Sequence, residues 1–358
     1  MARQFLDVVW ADWAQEQIAG VRGGPKTRHH NSVGGYDSMT DLAAFWLGGA
    51  GRTWHLNNLQ LASDYAWPEA IWELALDREG LGSFAAASRG VGEEETTRPR
   101  PPGAERTMLG NRESRFLKYS WVTPDYILGT QMDHPDAVHN HLSAAGRWHG
   151  MITSASPDAR VVFTAGPKDL ELMMQTVQHR HVLIAQQARR WTQINPDWYP
   201  ARDQYSKPVE VWLGSAWDHV EEKDGWVFAR AGNAYAAVRV VGAYTWNTAR
   251  TSICLKDKFD PVVLEAGRRA DYPTLADFQR AVLAAPLRQI RTVVPGYFIL
   301  GYRDIVFNAA NTTIPTIAGE YVNYAPPKVF DSPFLSAVYG SGVVTVGKGP
   351  LTRVYDFR

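Results

Sequence analysis

Cysteine is nearly absent from this 358-residue chain: Cys254 stands alone, so no intrachain disulfide framework can brace the fold. Its place in the apolar run Ser252 to Leu255 predicts a buried strand position. Charge of one sign is also lacking. Thirty-seven Lys and Arg balance 37 Asp and Glu, for a formal net charge of zero. A protein relying on bulk phosphate attraction would show a basic surplus or stripe, so nucleic acid is not an expected partner. No apolar stretch reaches the length of a transmembrane helix, which argues against a membrane span. Asp7, Asp12 and Glu16 interrupt what would be the hydrophobic part of a secretion signal. Taken as it stands, the sequence predicts a cytoplasmic chain, or a secreted one if it has been trimmed. HExxH and CxxC patterns are absent, and Gly340-Ser341-Gly342 has neither a following phosphate-loop Lys nor a helix. The same serine lacks the Gly-x-Ser-x-Gly surroundings of a nucleophile elbow.

Aromatic residues are abundant instead. Fourteen Trp and 15 Tyr exceed what a core of this size needs. Their flat apolar faces and hydrogen-bonding edges suit sugar rings and other amphipathic ligands. Trp54-His55, Trp148-His149, Trp191 and Trp198-Tyr199 are candidates for lining a substrate groove, with Trp54, His55, Trp148, Trp191 and Tyr199 as the binding positions. The alternative for each is the edge of a wide β core.

Patterning divides the chain into a short helical part over 1–91, a linker over 92–108 and a β region over 109–358. Leu6, Val9, Trp10, Trp13, Ala14 and Ile18 share one helical face. Ser38 with Asp41 resembles a capping pair opening a second helix, and Pro68 fits the first turn of a third. A weaker fourth helix is expected around Phe84. Glu, Thr, Arg, Pro and Gly then dominate from Gly92 to Glu105, and the texture changes beyond them. Phe116 to Val122, Arg160 to Ala165, Val182 to Gln186, Val209 to Leu213, Gly225 to Ala229, Ala234 to Val241, Thr292 to Ile299 and Gly342 to Val346 read as strands. Ala234 to Val241 is apolar on both faces, which predicts a central strand between two layers. Thr274 caps one interrupting helix, Leu275 to Leu283, with Asp277 completing the pattern. The predicted class is α+β: a helical part followed by a large antiparallel β-sandwich.

Three groups of residues could carry chemistry. The loop from Arg22 to Tyr36 packs cations, two adjacent His, an Asn and a Tyr between helices. Arg28 could fix an anion, Asn31 could hydrogen-bond a carboxyl group, and His30 or Tyr36 could move a proton. A solvated helix connector is the competing explanation. Two His-x-His pairs follow, His139/His141 and His179/His181. On a strand, each pair would put both imidazoles on one face, a geometry able to ligate a divalent metal. No third ligand can be named from spacing, so substrate contact or ordinary hydrogen bonding is preferred and no cofactor is required. Glu69 and Glu73 share a helix face, as surface pairs routinely do.

Arg28-His29-His30-Asn31 with Tyr36, and in the β part His179-Arg180-His181-Val182-Leu183 and Asp224 to Arg239, carry a resemblance to the heparinase II/III-like polysaccharide lyases. Those proteins join an α/α toroid to an antiparallel β-sandwich, so the helical part here resembles a partial toroid. The resemblance implies β-elimination beside a uronic acid carboxylate. Arg28 and Asn31 match the positions that neutralise that carboxylate and the enolate-like charge. Tyr36 or a His, among them His30, acts as base, and His141 or His181 completes the site from the β part. An acidic oligosaccharide is the implied substrate. Two alternatives stand beside it: an intracellular tailoring enzyme performing elimination or cyclisation on a small apolar molecule, and a non-catalytic carbohydrate- or protein-binding module.

Overall fold

A computed structural model describes residues 2–14, 17–18, 22–23, 65–76, 82–88, 116–135, 149–156, 158–164, 174–187, 209–291, 298–307, 313–347 and 349–358. Helix α1 (Ala2–Ala14) comes first, then a ribbon of β1 (Gln17–Ile18) and β2 (Arg22–Gly23), then helix α2 (Glu69–Leu76). Strands β3 (Gly82–Ser88), β4 (Phe116–Val122), β5 (Tyr126–Asp133), β6 (Gly150–Thr153) and β7 (Arg160–Thr164) follow. Next come β8 (Met174–His179), β9 (Val182–Gln187), β10 (Glu210–Trp212), β11 (His219–Lys223), β12 (Trp226–Ala231) and β13 (Ala234–Val240). After β14 (Tyr244–Trp246), β15 (Ser252–Leu255) and β16 (Val262–Arg268) lies helix α3 (Leu275–Ala284). The remaining strands are β17 (Leu287–Arg291), β18 (Phe298–Tyr302), β19 (Ile305–Phe307), β20 (Thr316–Ile317) and β21 (Glu320–Tyr321). The chain closes with β22 (Lys328–Asp331), β23 (Leu335–Val338), β24 (Val343–Val346) and β25 (Arg353–Asp356).

The described chain is therefore mostly β, and its strand pairings are antiparallel. A twelve-stranded sheet runs β14-β15-β10-β7-β6-β5-β4-β3-β22-β23-β24-β25, and a six-stranded sheet runs β11-β12-β13-β16-β9-β8. Side chains of β5, β6, β7, β10 and β15 meet those of β9, β12, β13 and β16 in one apolar core that includes Leu128, Phe163, Val211, Leu183, Val238 and Leu264. The opposite face of the six-stranded sheet is also buried. There Ile184, Phe228, Ala237 and Val263 pack on Phe278 and Val282 of α3 and on Leu300 and Phe307 of a five-stranded sheet, β17-β18-β19-β20-β21. Ala234 to Val240 alternates between these two cores, as expected for a strand apolar on both faces.

Helix α3 sits where its cap predicts. The Thr274 side chain accepts from the Asp277 N–H at 3.2 Å, and the Asp277 carboxylate accepts from the Thr274 N–H at 3.1 Å. Gly267 lets the helix come close to the sheet: a Cβ there would lie 2.7 Å from the Phe278 ring.

The helical part departs from expectation at two points: Ile18, expected on the face of the first helix, lies in β1 because α1 ends at Ala14 and the chain there pairs with β2. The segment around Phe84 is strand β3, not a helix. Its Ala-rich run favours a helix locally, but β4 and β22 offer ladder partners on both sides, and tertiary pairing overrides the propensity. The expected helix opened by Ser38 and the linker over 92–108 lie outside the described residues.

The helical and β parts meet at a polar and aromatic junction. Trp10, Ile71, Trp67 and Leu74 pack against Leu335, Val346 and Tyr355 of the last three strands. Within this core Asp7 is buried, and it accepts from Tyr65 Oη at 2.6 Å and from Tyr355 Oη at 2.5 Å. One carboxylate thus ties α1 to the residues before α2 and to β25, near the other end of the chain. Asp7→Ala leaves two hydroxyls without their acceptor and is expected to cost about 2 kcal/mol in denaturant titrations, with α1 loosened first.

Candidate functional site

Strand β16 carries a single carboxylate in an otherwise apolar run, Val262-Val263-Leu264-Glu265-Ala266. Alternation along the strand turns Val263 and Glu265 toward the α3 face, and the Glu265 side chain is fully buried. A carboxylate taken out of water is tolerated only with a compensating cation and hydrogen bonds. Both come from the end of β18. Arg303 Nη2 lies 2.8 Å from Glu265 Oε1 and Arg303 Nε lies 3.3 Å from Oε2, while the Tyr302 hydroxyl donates to Oε2. Arg303 Nη2 also donates to the Ala281 carbonyl of α3 at 3.1 Å. Glu265 thus joins the six-stranded sheet, α3 and the five-stranded sheet.

Two tight turns bring further groups to this point. Arg303-Asp304 links β18 to β19, and Arg180-His181 links β8 to β9. Each turn begins with an arginine in the left-handed region, at φ 51°. His179 Nδ1 lies 3.4 Å from Asp304 Oδ2, and His181 Nε2 lies 3.9 Å from Glu265 Oε1. The turns therefore face each other with basic and acidic groups opposed.

Burial holds the His181 imidazole below its ordinary range. Glu265 opposes the shift, while Arg303, His179 and Arg180 reinforce it. The imidazole is therefore neutral near pH 7. With Nε2 turned toward the carboxylate, the tautomer protonated there leaves Nδ1 as the acceptor. Burial also raises the Tyr302 phenol strongly, and the Glu265 charge and hydrogen bond add to this, so Tyr302 is a fixed donor and no base. For Arg303, burial works against the charge, yet the hydrogen bonds and charge of Glu265 outweigh it and raise the guanidinium further. The cluster can orient a neutral imidazole and hold an anion-binding cation beside it.

His179 and His181 do not share one strand face. His179 ends β8 and His181 lies in the turn, because β9 begins only at Val182. The pair straddles a hairpin, and each imidazole meets a different carboxylate. Among the described residues no group of three or more His, Cys, Asp or Glu is placed to hold a metal ion. Arg28, His30, Asn31, Tyr36, His141, Trp54, His55, Trp148, Trp191 and Tyr199 lie outside the described residues. His149 is described and buried, with Nδ1 2.6 Å from Thr130 Oγ1. Glu69 and Glu73 are exposed on α2, as a surface pair should be. Glu265, Tyr302 and Arg303 carried no sequence expectation. The available signal was a lone Glu within an apolar strand run. No protein-family model, no curated protein and no solved structure matches this chain.

The His181 setting has a measurable signature. In the unfolded chain the imidazole takes up its proton near 6.5; in the fold it does so only at lower pH. Its contribution to stability is complete above that window and is lost as pH falls through it. A histidine NMR titration is expected to give His181 a midpoint below 6.5, and a still lower one in Glu265→Gln, where the group that raises it among the described residues is gone.

Proposed function

We propose that this chain serves a lyase-type reaction, proton abstraction and β-elimination on an acidic carbohydrate, with His181 as the proton-accepting side chain. The observation that carries this reading is the setting of His181: half-exposed, kept neutral by burial, and backed by the Glu265 carboxylate and the Arg303 guanidinium. A proton beside a uronate carboxylate is only weakly acidic, so removing it needs a base and a cation that stabilises the charge developing on the carboxylate. His181 takes that proton, the C–H electrons become the new double bond, and the C–O bond on the neighbouring carbon breaks, its electron pair leaving with the oxygen, which takes a proton from water. Arg180, exposed in the same turn, is the nearest cation in sequence for the substrate carboxylate. The resemblance to heparinase II/III-like lyases supports the same chemistry and adds Arg28, Asn31 and Tyr36 as partners from a partial toroid. This reaction needs no cofactor.

A second reading, a carbohydrate- or protein-binding module without turnover, is favoured by one observation: Arg303 and Tyr302 already satisfy Glu265, as in a purely structural network. Ultraviolet absorbance of an unsaturated product, followed on a broad panel of uronic-acid polymers, separates the two. The lyase reading expects absorbance with at least one polymer and a loss of about 100-fold or more in His181→Ala at unchanged melting temperature. Absence of product across the panel contradicts it.

A further inference from the structure

Beside the Glu265 network lies a cavity of about 390 Å³ lined by Ala281, Ala284, Ala285 and Pro286 on one side, and by Arg288, Gly301, Arg303, Ile305 and Val306 on the other. Apart from Arg288 and Arg303, the residues lining it are glycine or apolar. We propose that this cavity binds a small monoanionic carboxylate with an apolar body, held by Arg288 and Arg303.

Three features point to that ligand. The first is Gly301, which pairs with Arg288 on one side and Val306 on the other, in the middle strand of the three that form this part of the sheet. A glycine inside a strand weakens it and often marks a place where something approaches closely. No close contact among the described residues and no left-handed backbone requires it here. The nearest atoms to a Cβ at Gly301 would be Arg288 Cβ at 3.6 Å, the Arg288 carbonyl at 3.9 Å and the Ile305 carbonyl at 4.0 Å, all ordinary contacts. The missing side chain leaves open the floor of the cavity.

The second feature is the state of the arginines. Arg303 is anchored through Nε and Nη2 to Glu265 and Ala281, which fixes its plane and leaves Nη1 without a bond among the described residues. Arg288 is exposed and has no carboxylate partner among the described residues. A guanidinium held in place by a buried partner loses little freedom on binding an anion.

The third is the charge balance. Glu265 neutralises Arg303, so the site carries the single net positive charge of Arg288. The Ala284 and Ala285 wall is the C-terminal end of α3, whose partial negative charge disfavours a second negative charge on the ligand. One carboxylate fits this balance better than a dianionic phosphate, and the alanine, proline and valine walls accept an apolar body behind it.

This inference needs no turnover and stands or falls apart from the lyase reading. The test is an NMR titration of the whole chain with sodium benzoate, with inorganic phosphate in parallel. Benzoate is expected to shift the Gly301 and Ala285 amides saturably at millimolar concentration, with phosphate much weaker. Arg288→Ala is expected to weaken binding about tenfold, the loss of one charge-assisted contact. Gly301→Ala fills the floor without strain, so it is expected to melt no lower than the parent while binding benzoate about tenfold more weakly. No saturable shift with benzoate, unchanged binding in a folded Gly301→Ala, or phosphate binding as tightly as benzoate would each overturn the proposal.

Discussion

A carboxylate with no water around it has to be given a cation and a donor by the chain, and the arrangement around Glu265 follows from that requirement. Arg303 reaches it from the β18–β19 turn and Tyr302 from the end of β18, so the five-stranded sheet is fixed against the six-stranded one. Arg303 also holds the Ala281 carbonyl, which brings α3 into the same network. The approach of His181 to Glu265 Oε1, the oxygen that Arg303 Nη2 also reaches, then comes from the position of the β8–β9 turn. Buried ion pairs contribute little net stability compared with apolar packing of equal volume, so their value is in specifying one arrangement of layers.

That specification matters because the six-stranded sheet is apolar on both faces. Its strands could pack against the twelve-stranded sheet or against α3 and the small sheet in more than one register, since apolar contacts are not directional. A slip of one residue in β16 would turn Glu265 away from Arg303 and Tyr302 and into the apolar core formed with the twelve-stranded sheet. The polar cluster therefore forbids the slip. Asp7 serves a comparable purpose at the junction of α1 and β25, where two tyrosine hydroxyls converge on one buried carboxylate.

Much of this was legible from residues alone. Thr274 and Asp277 announce α3 because capping is local chemistry, and Ala234 to Val240 announces a two-faced central strand because its pattern is continuous. Phe84 misleads because an alanine-rich run carries helix propensity while its fate is decided by β4 and β22, far away in sequence. Of the expected catalytic and substrate-binding residues, His181 lies within the described chain, together with His179, its partner in the candidate metal pair. The neighbours of His181 could not be foreseen: Glu265, Tyr302 and Arg303 lie 84 to 122 positions away, and only the turn geometry brings them together. The two-residue hairpin at Arg180-His181 was hidden for a related reason, since period-two reading treats His179 and His181 as one strand face until the turn is known.

The central claim is that Glu265 and Arg303 act as one unit that fixes the layers. A double-mutant cycle with Glu265→Leu and Arg303→Met, read by denaturant unfolding, tests it directly. Each single change strands one charge and should cost about 3 kcal/mol, whereas the double change removes both and should recover more than half of the summed loss, a coupling above about 3 kcal/mol. Costs that simply add would contradict the account.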